Sequence, residues 1–102
     1  MTEPVAPEDC TTMAQVRAGV DALDERLWAL LGERFALMRA AARIKEQRGA
    51  VRDEARKAEV VAAARAAAAR VGVPDWVAER LWGELVELSI AYEMEEWDRG
   101  RG

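Results

Sequence analysis

Histidine is absent from the 102 residues, cysteine occurs once, and aromatic residues make up only 6%. Without histidine there is no imidazole base, no histidine-containing triad and no histidine metal ligand. The single Cys10 cannot pair within the chain, and with no cluster of cysteine and histidine the usual zinc sites are excluded. Such sparing use of cysteine suits a reducing, cytoplasmic setting. No glycine-rich phosphate loop is present, and no apolar run reaches membrane-spanning length. No basic-then-apolar segment opens the sequence, so no secretory leader is expected. The net charge is −4 with acids and bases interleaved, which leaves no electrostatic footprint for nucleic acid. If the chain is an enzyme, it is expected to use no metal and no cofactor. It would place charge and shape around a reacting molecule rather than attack it.

What the sequence does have is 51% hydrophobic and 33% charged residues, enough for one hydrophobic core in one domain. Residues 1–10, MTEPVAPEDC, hold two prolines and no periodicity and read as an irregular arm. Residues 11–98 read as one helical domain. Thr11 or Thr12 is a natural N-cap, and apolar residues at helical spacing then run to about Gln47, with Gly49 as the stop. A second, short helix is expected from about Asp53 to Arg70. Its run VVAAARAAAAR has high helix propensity but buries little area. Gly72, Pro74 and Asp75 form a stop-and-start signal. A third helix of medium length is expected from about Asp75 to Trp97, with a frayed ending, DRGRG. The expected fold class is all-α, with three helices.

The first helix is too long for a compact monomer. About 36 residues at a rise of roughly 1.5 Å make a rod of about 54 Å, whereas a chain of this size is only about 35 Å across. Its leucines need a second copy to cover them, so the expected assembly is an intertwined homodimer. Leu27, Leu31, Arg34, Met38, Ala41 and Lys45 lie at alternating steps of four and three and share one stripe of this helix. Arg34 and Lys45 thus carry positive charge along an apolar face, where an unmatched charge is costly. Arg17 lies beside Val16 and Val20 near the helix start, and Arg56 opens the second helix against its dipole. Ser89 and Glu93 continue the stripe of Trp82 and Val86 on the third helix. Taken singly, each cation has an ordinary explanation: it snorkels to water or pairs with a nearby acid. Taken together, with an acid and a hydroxyl on a facing helix, they also suit an anionic ligand.

The segments VRAGVDALDERLWALLGER, ARIK, VRDEARK and SIAYEMEEW, in that order, resemble the AroQ-type, all-helical chorismate mutases over roughly residues 7–98. The opening PEDCT and the late tryptophan are also similar to the isochorismate-pyruvate lyase branch of that fold, which makes salicylate. The resemblance implies a dimer in which Arg17 reaches into the partner's site. It implies that Arg17, Arg34 and Arg56 hold the two carboxylates of a small dicarboxylate, chorismate. Lys45 would donate to the ether oxygen, Asp53 would meet the ring hydroxyl, and Ser89 and Glu93 would face the ligand. Two positions depart from the family pattern. Glu93 stands where many bacterial mutases and the lyase carry glutamine, although some fungal mutases carry glutamate. Lys57 stands where many members carry glutamate beside the helix-two arginine.

The implied chemistry suits a chain without histidine. Chorismate becomes prephenate as an ether bond breaks and a carbon–carbon bond forms, with neither a nucleophile nor a proton transfer. The reaction needs the enolpyruvyl arm held over the ring and donors at the ether oxygen, where negative charge grows. Lys45, Arg34 and a protonated Glu93 are the expected catalytic groups of such a mutase. The lyase is the first alternative. A non-catalytic helical dimer that binds a partner is the second.

Overall fold

The computed structural model describes residues 4–102, so the first three residues of the expected arm lie outside the described residues. Three α-helices and two short 3₁₀ turns occur among them, and no strand: α1 (Met13–Ile44), α2 (Glu54–Val71) and α3 (Asp75–Arg101). No helix among the described residues is long and apolar enough to cross a membrane. The chain forms two compact units, one ending at Ala36 and the other Leu37–Gly102.

In the first unit a 3₁₀ turn, Pro7–Asp9, precedes α1. Thr12 caps the helix as its sequence suggests. Its Oγ1 accepts from the Gln15 amide at 3.2 Å, while Gln15 Oε1 accepts from the amides of Thr11 and Thr12 at 2.7 and 3.1 Å. This reciprocal capping box satisfies amides that the first helical turn leaves unpaired. Val20, Leu23, Leu27 and Leu30 of α1 stay exposed, Leu23 and Leu27 at 54% and 55%. Such a run of apolar side chains marks a face that calls for a cover.

In the second unit α2 is fixed at both ends by local chemistry. Asp53 is its N-cap, accepting from the Arg56 amide at 3.0 Å. Gly72 closes it at φ 75°, the one positive φ among the described residues, and the Val73 amide returns to the Ala68 carbonyl at 2.9 Å. Pro74 then sets the entry to α3. Ala68 of α2 and Ala78 and Val86 of α3 are buried; small side chains here let α2 and α3 approach closely. Arg65 clasps Asp75 through two bonds of 2.8 and 2.9 Å beside the turn.

Two helix ends differ from expectation. α1 stops at Ile44, three residues before Gln47, and Gly49 sits inside the second 3₁₀ turn, Arg48–Ala50, rather than ending the helix. The chain is drawn away by burial of Val51 and by Arg48, which grips Asp98 at 2.8 and 3.1 Å. α3, in turn, does not fray after Trp97 but runs to Arg101. Its last turn is held because Asp98 and Arg101 bond to residues near the end of α1.

A charge cluster joins the start of α2 to α3. Arg52 donates from both Nη atoms to the Glu87 carboxylate at 3.1 and 2.8 Å, and Lys57 Nζ adds a bond of 2.7 Å. Arg52 first, then Lys57, hold the Glu87 carboxyl down from 4.5 to about 2. A carboxyl depressed in the folded state contributes stability in full above about pH 4.5 and loses it as pH falls through about 2. Glu87 is more than a third exposed, so solvent screening keeps the effect modest. Glu87→Gln is therefore expected to flatten the fall in stability across this acid window, followed by helical ellipticity. An acid transition as steep as the parent's would show that the cluster contributes nothing.

Candidate active site

Lys45 is the first residue beyond α1, and its amide still bonds the Ala41 carbonyl at 3.0 Å. Its side chain crosses to α3, where Nζ donates to Glu93 Oε2 at 2.7 Å. Glu93 is 4% exposed, whereas the Lys45 side chain keeps 30%. A carboxylate so enclosed is stable only when its charge is met, and Lys45 meets it. One turn earlier, Ser89 is 3% exposed and donates its hydroxyl to the Leu85 carbonyl at 2.7 Å. The face of α3 that carries Val86 thus continues as a buried hydroxyl and a buried acid, paired to a cation that retains access to water.

Asp53 and Arg56 are exposed at the head of α2. Asp53 Oδ1 caps the helix, and among the described residues the Arg56 guanidinium pairs with Glu59, one turn along, at 3.3 Å. Asp53, Glu54 and Glu59 offset the unfavourable placement of Arg56 at a helix N-terminus. Lys57 is turned toward α3 and committed to Glu87. Arg17 and Arg34 belong to the first unit: Arg17 is exposed, and Arg34 is half-buried on the stripe of Leu31 and Met38. Among the described residues, no group of three or more acidic, cysteine or histidine side chains gathers as a metal site.

The second unit thus joins a partly accessible cation, Lys45, to a buried acid, Glu93, one turn from a buried hydroxyl, Ser89, with Arg56 exposed at the head of α2. Residues 16–94 match the family model for chorismate mutase type II. The chain belongs to the type II chorismate mutase family. It is also 29% identical over 96 residues to an isochorismate pyruvate lyase of Pseudomonas aeruginosa, with 94% of this chain and 95% of that protein covered.

As a member of the type II family, the chain has supports around Lys45 that residue pattern alone did not single out. Trp97 Nε1 donates to the Lys45 carbonyl at 3.0 Å, and Arg101 bonds the carbonyls of Ala42 and Lys45 at 2.7 and 2.6 Å. Tyr92, next to Glu93, accepts from Arg39 at 2.9 Å. The available signal was periodic. Trp97 lies four residues after Glu93, and Arg101 four after Trp97, so all three share one face of α3.

Proposed function

We propose that the protein is a chorismate mutase that rearranges chorismate to prephenate. The observation that carries this reading is the enclosed Glu93 meeting Lys45 at 2.7 Å in a chain of the type II family. When substrate enters, the ether oxygen takes the place of this contact: Lys45 and a protonated Glu93 each donate to it. The negative charge that grows as the bond breaks is then met by donors already aimed at it. Arg34, with Arg17 supplied by a second copy of the chain, holds carboxylates and keeps the enolpyruvyl arm over the ring. Arg56 joins them by leaving its weak contact with Glu59, and Asp53 serves the ring hydroxyl without the glutamate many relatives carry at position 57. The exposed leucine face of α1 supports the second copy. Incubating the pure protein with chorismate and identifying products by NMR tests the reading. Prephenate as sole product is expected; chorismate left intact contradicts it.

The lyase reading has its own support, since the relative named isochorismate pyruvate lyase aligns over nearly the whole chain. Glu93 favours the mutase, because the lyase branch carries glutamine there. A carboxylic acid at this position donates to the ether oxygen, whereas a carboxylate repels the charge that develops. Glu93→Gln keeps a donor in place and is therefore expected to retain mutase activity near neutrality, whereas Glu93→Ala, which removes the donor, is expected to lose most of it. A Gln variant as inactive as the Ala variant would remove donation at this position from the mechanism.

A further inference from the structure

We propose that the last turn of α3 is the device that positions Lys45, with Arg101 and Trp97 acting through the main chain as positioning residues. The need arises from where Lys45 sits. The final carbonyls of any α-helix have no partner within the helix, and helix ends fray. α2 solves this with left-handed Gly72; α1 ends without such a residue. Lys45 stands at that unprotected end, carrying its ammonium on a flexible four-carbon stem.

Donors from α3 supply what the end of α1 lacks. Arg101 Nη1 bonds the Ala42 carbonyl at 2.7 Å and Nη2 the Lys45 carbonyl at 2.6 Å, while Trp97 Nε1 bonds the Lys45 carbonyl at 3.0 Å. The guanidinium lies 4.6 Å from the centre of the Trp97 ring, so the two donors brace each other. Charged donors make the stronger hydrogen bonds, and a cation at a helix C-terminus is favoured by the dipole. Just beyond, Asp98 fastens Arg48 through two bonds. The backbone is thereby fixed on both sides of Lys45, three and fewer residues away. Among the described residues Arg101 and Trp97 make no hydrogen bond to the ammonium or to Glu93; they set the point from which the lysine reaches. Displacing a reacting group by about 1 Å can cost two orders of magnitude in rate, so this clasp has a functional consequence. That kinetic consequence rests on the mutase reading above, but the clasp itself does not.

The chain's two lysines, Lys45 and Lys57, allow a test that does not need turnover. Lys57 is tied to Glu87 and serves as the internal reference. The full chain, with Arg101→Ala, Arg101→Lys and Trp97→Phe, is treated with trace acetic anhydride, and the ratio of Lys45 to Lys57 acetylation is read by mass spectrometry. Arg101→Ala is expected to raise the ratio several-fold at unchanged helical ellipticity. Trp97→Phe, which keeps the ring and loses the donor, is expected to raise it less, and Arg101→Lys, which retains one donor, to lie between parent and Arg101→Ala. With chorismate as substrate, kcat is expected to fall about tenfold in Arg101→Ala while KM stays within about twofold. Should Arg101→Ala not fold, the other two variants carry the comparison. A Lys45 to Lys57 ratio equal to the parent's in the folded variants overturns the proposal, whether or not chorismate is consumed. A protein that shows the expected ratios but does not consume chorismate overturns the mutase reading and leaves the clasp standing.

Discussion

Lys45→Ala is expected to lower kcat by roughly two orders of magnitude or more, with KM changed far less. A cation at the breaking ether bond interacts little with the uncharged ground-state oxygen and strongly with the oxygen as charge gathers on it. Its loss is therefore felt mainly in the transition state. The substitution also removes the partner of Glu93, which is only 4% exposed. A buried acid left alone is destabilising by about 3 kcal/mol, the lower end for a broken buried pair, because Lys45 itself keeps contact with water. The double variant Lys45→Ala/Glu93→Ala separates the two effects. It is expected to regain stability relative to Lys45→Ala and to regain no activity. Steady-state kinetics alongside thermal melts read both. A Lys45→Ala enzyme altered only in KM would mean that the lysine holds a carboxylate and takes no part at the ether oxygen.

The arginines of the first unit give the second large effect. If, as proposed, Arg34 and a second copy's Arg17 serve one site, Arg17→Ala and Arg34→Ala proteins are each expected to be almost inactive. Mixed by refolding, they are expected to recover about a quarter of the parent's activity. Random reassortment makes half the dimers mixed, and each mixed dimer has one site with both arginines intact. Activity that stays at the level of the separate variants would show that Arg17 serves its own chain or only the structure. The exposed Leu23 and Leu27 are the physical reason for proposing a second copy, since an isolated chain leaves that face in water.

Helix ends set by local causes were legible in the sequence, and those set by distant partners were not. Thr12 and Gly72 act within one turn of themselves, so the cap of α1 and the close of α2 were legible in the residues alone. The ends of α1 and α3 were not, because partners more than fifty residues away decide them. Arg101 reaches Ala42, and Trp97 reaches Lys45. A charged, glycine-containing tail reads as frayed until its partners are known. At the candidate site, periodicity placed Lys45 and Glu93 on apolar stripes, and the cost of burying charge said that each needed a partner. It did not say that they would meet each other, because the distance between α1 and α3 is set by packing and not by either helix. Lys57 is a similar case. Its departure from the family pattern was visible in the sequence, but its bond to Glu87 follows from the placement of α2 against α3.

Competition between the two candidate substrates tests most directly whether Lys45 and Glu93 serve a mutase site. Equimolar chorismate and isochorismate are offered in one vessel, and initial products are quantified by NMR, so that the product ratio reads the ratio of kcat/KM. Prephenate is expected to exceed salicylate by at least about tenfold, with the excess reduced in Glu93→Gln. Salicylate and pyruvate forming faster than prephenate would contradict the mutase assignment, and consumption of neither substrate would contradict catalysis at this site altogether.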